Sequence, residues 1–144
     1  MPETVFSITS TTAMVAWVAL IAARFIPAYR RWVDPAVGYV VPGLLSVAYG
    51  VLLLGYWGQS EGGGFVSLAS VTALFAVPEL LLAGWIHYLA FDLFVGAWIA
   101  RNGSVEGVSP LVLTPILLAT FLAGPIGYLA YALLRPVISK KSGS

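Results

Sequence analysis

Three ionisable side chains inside one apolar stretch carry whatever chemistry this chain can perform. Glu79, His87 and Asp92 lie in the run from Pro78 to Gly103, PELLLAGWIHYLAFDLFVGAWIARNG, and His87 is the only histidine. The run is long and apolar enough to cross a bilayer, which needs about 20 residues of helix. An ionisable group at the centre of such a span costs about 2.5–3.5 kcal/mol on insertion scales, so groups of this kind default to proton transfer or to polar recognition. Three of them in one span is more than packing requires. The other apolar segments are expected to enclose them.

Helical geometry sorts these groups. At about 100° per residue, Trp85, Tyr88 and Asp92 share one face, whereas Glu79, Ala83 and His87 drift over about 80° of a neighbouring stripe. His87 and Asp92 are then about 140° apart and cannot enter one narrow pocket unless the helix bends or the pocket wraps around it. That spread argues against a metal site, since three ligands do not converge from this helix alone. Each residue also has a plainer reading. Glu79 follows Pro78 at a helix start, where a carboxylate interacts well with the macrodipole. His87 can serve as a hydrogen-bonding contact between helices. Asp92 is hardest to explain away: a lone mid-span carboxyl must be neutral, paired or hydrated. Tyr88, one turn away, or Tyr49 or Tyr128 from another span, is a candidate partner. Trp85, Phe91, Phe94 and Trp98 offer aromatic walls to an apolar ligand.

The surroundings are those of an integral membrane protein. Sixty per cent of the 144 residues are hydrophobic, 9% are charged, and the mean hydropathy is +0.94, against about a quarter charged in soluble domains. With a net charge of +1 and no cysteine, nothing points to nucleic acid, a disulfide framework or a thiolate site. No cofactor motif is present. A single all-α domain is expected, a polytopic bundle of four transmembrane helices over about residues 6–26, 37–57, 78–100 and 110–134. Residues 65–77 are too short for a full crossing and read either as the lead-in to the third span or as an interfacial helix broken from it at Pro78. Arg24 is expected to snorkel to the interface beyond the first span. Arg30 and Arg31, beside Tyr29 and Trp32, suit the headgroup level. Ala119, Ala123 and Gly127 read as a small-residue packing face within the fourth span. The basic tail RPVISKKSGS is expected to be disordered. Four crossings put four arginines on one side against Arg135, Lys140 and Lys141 on the other, which leaves the orientation open.

The groups Pro78-Glu79, Trp85-Ile86-His87, Asp92-Leu93-Phe94-Val95-Gly96 and Gly124-Pro125-Ile126-Gly127 resemble the ABA4-like membrane proteins. That family takes its name from a plant plastid protein required to form neoxanthin from violaxanthin. The resemblance runs from the second span to Leu134. Two departures stand out, since members often carry an arginine where this chain has Ala97 and an aspartate where it has Asn102. Plant members also begin with a transit peptide not seen here, so a bacterial inner membrane is expected rather than a plastid one. The resemblance implies an isomerisation of a carotenoid or xanthophyll without net redox change. Asp92 would act as the acid that protonates an epoxide oxygen and His87 as the base that removes a vinylic proton, with Glu79 as a further candidate. Two other readings stand beside it. One is a non-catalytic carotenoid- or lipid-binding partner in a larger membrane complex. The other is a small proton-coupled transporter assembled as a homo-oligomer.

Overall fold

Prolines punctuate this chain, and six of the seven described helices carry one in their first two positions, because a proline lacks only an N–H that the first turn leaves unpaired anyway. In the computed structural model, which describes residues 1–141, α1 spans Pro2–Phe25, α2 Pro27–Pro35, α3 Val41–Tyr56, α4 Leu68–Phe75, α5 Pro78–Val105, α6 Pro110–Leu122 and α7 Gly124–Lys141. A π-helical turn over Ala36–Val40 joins α2 to α3, and a 3-10 turn over Trp57–Gln59 ends α3. The described residues are otherwise helix and loop, without a strand. Three helical stretches are long and apolar enough to cross a membrane: Pro2–Phe25, Pro27–Gln59 and Pro78–Val105. The chain is thus an all-helical protein with the helices of an integral membrane protein.

α5 is the central helix, the most buried of the three. α1 runs parallel to it. Phe6 and Ser10 meet Trp85, Trp17 lies over Gly96, and Arg24 reaches Ala100 and Ser104. α3 runs antiparallel and packs most extensively on α5, with Gly38 beside Ala97 and Tyr49 beside His87. Gly96 is needed here, because a Cβ at that position would overlap the edge of the Trp17 ring. One core cluster joins Trp17, Leu20, Leu93, Ile99, Leu117 and Tyr131. A second joins Ala13, Leu45, Leu82, Ile86 and Leu89.

The fourth span expected over 110–134 is not a single helix. α6 has 13 residues, about 20 Å of rise against a hydrocarbon core of about 30 Å. It ends at Leu122, and Ala123 takes an extended conformation (φ −157°, ψ 79°) before Gly124-Pro125 starts α7. The chain then turns back. Leu113 in α6 packs on Gly103 of α5, the α6 end at Leu122 meets Tyr88, and Gly124 meets Asp92. Tyr131 in α7 then returns to Trp98 and Glu106, and Arg135 to Glu106. α6 and α7 therefore form a hairpin that starts and finishes at the C-terminal end of α5, with its tip halfway along that helix. The physical reason lies in the dipeptide Gly124-Pro125: Pro125 has no N–H to continue α6, and Gly124 has no side chain to keep the tip off α5.

Three smaller expectations are settled as well. Residues 65–77 contain a separate short helix, α4, capped at Ser67 by reciprocal bonds with Ser70 and divided from α5 by the extended Val77 before Pro78. Arg24 does not snorkel: it is 1% exposed and held inside the bundle. The tail expected to be disordered continues α7 through Lys141, and residues 142–144 lie outside the described region.

Candidate functional site

The hairpin tip makes a site around Asp92. Asp92 is 8% exposed, and its Oδ2 is buried without a hydrogen-bond partner. The Tyr88 hydroxyl and the Gly124 amide are the polar groups beside the carboxyl. Tyr88 donates to the Leu122 carbonyl at 3.0 Å, which satisfies one of the acceptors left free where α6 ends. Gly124 opens α7, so the positive end of that helix faces the carboxyl. The approach is close: a Cβ at Gly124 would overlap Asp92 Oδ1 and come 2.6 Å from its Cγ. The same period that puts Asp92 one turn beyond Tyr88 also puts Trp85 on this face, stacked on Tyr88 at 5.4 Å between ring centroids.

The hairpin turns back at Leu122 and leaves the N-terminal halves of α1 and α5 uncovered. There a recess of about 820 Å³ is walled by Phe6, Pro78, Leu81, Leu82 and Trp85, with the hydroxyls of Ser7, Ser10 and Thr11 and the Glu3 carboxylate as its polar groups. Trp85 Nε1 donates to Ser10 Oγ at 3.0 Å. From this recess the stripe Trp85, Tyr88, Asp92 leads to the hairpin tip. The arrangement is an open apolar recess with a few hydroxyls, and beyond its Trp85 wall the same face of α5 carries a carboxyl with an open acceptor.

His87 is elsewhere. Its ring is exposed on the α3 side, stacked on Phe91 at 4.7 Å and 5.4 Å from Tyr49. Phe91 and Phe94 line the same side, whereas Trp98 packs against Tyr128 and Tyr131 of α7. Glu79 sits half-buried in the first turn of α5, where the macrodipole favours a carboxylate. The expected residues therefore divide. Asp92, Tyr88 and Trp85 come together, and His87, Phe91 and Phe94 form a second group across the helix. Among the described residues, no three His, Cys, Asp or Glu side chains gather to hold a metal ion.

Two polar clusters tie the C-terminal end of α5 to its neighbours. Arg24 pairs with Asp34 of α2 and donates to Ala100 O at 3.1 Å and Ser104 Oγ at 3.0 Å. Arg30 in turn donates to the carbonyls of Ala23 and Arg24. Glu106 accepts from Tyr131 at 2.9 Å and from Arg135 at 2.7 Å, and the hydrogen bond to this carboxylate raises Arg135 above its ordinary value. Neither cluster is visible from local spacing, because Arg24 and Ser104 are 80 residues apart. The hairpin tip did leave a signal: a Gly-Pro pair inside an apolar run marks a break.

Fold and site together define a helical membrane protein with a broken hairpin closing over an intramembrane carboxyl. The chain belongs to the ABA4-like family: the model of that family, ABA DEFICIENT 4-like, matches residues 4–131. No curated protein and no solved structure matches the chain.

Proposed function

We propose that the protein isomerises an oxygenated, lipid-soluble polyene of the xanthophyll class, with Asp92 as its acid and base. The observation that carries this reading is the Asp92 carboxyl, whose buried Oδ2 lacks a partner, two helical turns along α5 from Trp85 in the wall of an apolar recess. In the forward step, Asp92 gives its proton to an epoxide oxygen and the C–O bond breaks. The cation delocalises along the polyene. The Asp92 carboxylate then takes a vinylic proton, and an allenic alcohol forms with the carboxyl restored. Atoms balance, and no oxidant or reductant is needed. Tyr88 orients the carboxyl, and Trp85 with Phe6 grips the apolar end group. His87, across the helix, takes no part in this step. Family membership supports the substrate class. The membrane is proposed to be a bacterial inner membrane, with α6–α7 as a re-entrant hairpin rather than a fourth crossing.

The test is pigment analysis of a carotenoid-producing host that expresses the wild type or Asp92→Asn. A new product made only by the wild type supports the reading, and identical pigments from both sink it. A second reading, a non-catalytic polyene-binding partner within a larger complex, draws on the exposed aromatic face of Phe91 and Phe94. It predicts bound but unchanged pigment in both strains.

A further inference from the structure

The groove between α3 and α5 is separate from the Asp92 recess. A cavity of about 280 Å³ lined by Tyr39, Pro42, Gly43, Ser46, Phe91 and Phe94 continues into one of about 250 Å³ through the shared Ser46, Ala90 and Phe91. Tyr49 and His87, with ring centroids 5.4 Å apart, stand between these cavities and a further one of about 220 Å³. The outer end of the groove carries Arg101, which donates to the Tyr39 hydroxyl at 2.7 Å and lies over the Tyr39 ring at 5.4 Å. Among the described residues, the ion pairs are Arg24–Asp34 and Arg135–Glu106, so Arg101 has no carboxylate of its own. From His87 to Arg101 the groove follows 14 residues of α5, a rise of about 21 Å. A half-bilayer of hydrocarbon is about 15 Å deep, and Arg101 stands 23 residues into α5, at headgroup level.

We infer that this groove holds one acyl chain of an anionic phospholipid, whose headgroup phosphate pairs with Arg101. Length and charge both point to that occupant. The groove is one leaflet deep, apolar along its length, and ends in an unpaired cation held in place by a tyrosine. Its leaflet fits too. Arg24, Arg30, Arg31, Arg101 and Arg135 all stand at this end of the bundle, and Glu3, Glu61 and Glu79 at the other. The positive-inside rule turns the basic end to the cytoplasm, where the membrane surface is negative. Tyr49 and His87 then flank the acyl chain at mid-depth, a role that needs no proton transfer from the imidazole. The inference is independent of the reaction proposed at Asp92.

Gly43 supplies a clean test, because a Cβ there meets nothing within 4 Å. A leucine at this position starts from open space, extends into the groove and improves the helix propensity of α3. Purified protein in detergent is titrated with phosphatidylglycerol, or with phosphatidylcholine of the same chains, and read by native mass spectrometry. The wild type is expected to hold one phosphatidylglycerol, preferred about tenfold over phosphatidylcholine, as a charge-assisted contact would give. Arg101→Gln should lose the preference and keep weak binding of both lipids. Gly43→Leu should lose both lipids at unchanged helix content. The inference fails if Arg101→Gln retains the preference or if Gly43→Leu binds as the wild type does. It also fails if inorganic phosphate displaces the lipid at equal concentration, since that would leave the groove without a part.

Discussion

Gly124→Ala puts the contact between the hairpin tip and α5 to a quantitative test. The added methyl would occupy the position of Asp92 Oδ1 and lie 2.6 Å from Cγ. Neither neighbour yields cheaply. The carboxyl belongs to a side chain on a rigid central helix, and the tip is tied down by Tyr88 and Leu122. Overpacking of this kind costs about 1–3 kcal/mol. In an Asp92→Ala background the obstacle is gone. Gly124 has an ordinary negative φ, so the same methyl then stabilises by about 0.4–1 kcal/mol through the unfolded chain. The sign of the substitution is therefore expected to reverse, with a coupling between the two positions of about 1.5–4 kcal/mol. The four proteins of the cycle can be unfolded in mixed micelles by increasing sodium dodecyl sulfate and compared at the midpoint. Equal effects of Gly124→Ala in both backgrounds, within about 0.5 kcal/mol, would refute the packing argument and detach the tip from Asp92. The cycle also reads the cost of Asp92 itself. A buried acceptor without a partner destabilises by about 1–3 kcal/mol, so Asp92→Ala alone should match or exceed the wild type in stability, as expected of a residue retained for activity.

The remaining predictions concern the frame. Arg24→Ala strands Asp34 and empties a fully buried site, and should destabilise by about 3–5 kcal/mol; the double change Arg24→Met with Asp34→Leu should recover most of that loss in the same unfolding assay. Gly96→Ala should wedge α1 from α5 at Trp17 and cost about 1–3 kcal/mol, a loss relieved by Trp17→Leu. The chain has no cysteine, so single cysteines report topology directly. In intact bacterial cells an impermeant maleimide should label Glu61→Cys and leave Val105→Cys unlabelled, and a C-terminal tag should be accessible only with the latter. Access to the tag from the same side as Glu61 would mean that the last segment crosses the membrane.

The share of this molecule visible in the chain follows the range of the interactions involved. Trp85, Tyr88 and Asp92 share a face because helical period alone puts them there, and the same arithmetic separates His87 from Asp92. Both relations hold in the folded protein. Residues 65–77 allow two readings from the sequence, and the separate helix is the one that forms, because Ser67 and Ser70 cap it locally and the extended Val77 before Pro78 breaks it from α5. The burial of Arg24 leaves no local trace, because its partners are a carboxylate ten residues away and a carbonyl and hydroxyl on α5, and only tertiary packing brings those together. The fourth segment was misjudged because hydropathy over residues 110–134 is high throughout. A window that averages hydropathy does not register one residue leaving the helical conformation. The break at Ala123 costs hydrogen bonds, and what compensates for them lies on Tyr88, 34 residues upstream.

The hairpin also imposes an order on assembly. Its apolar faces rest on α5 and α1, two helices whose contacts join residues about 75 positions apart, such as Ser10 with Trp85. Those two must meet before α6 and α7 have a surface to settle on. During synthesis α6 and α7 also leave the ribosome after α1 and α5. Until they arrive, Asp92 and the Tyr88 hydroxyl have only lipid for company, and the bundle is a membrane-inserted intermediate with its polar centre unsealed. A chain shortened before Gly124 would be trapped in that condition. It would retain all three long apolar helices and still carry an unsealed carboxyl in the middle of α5.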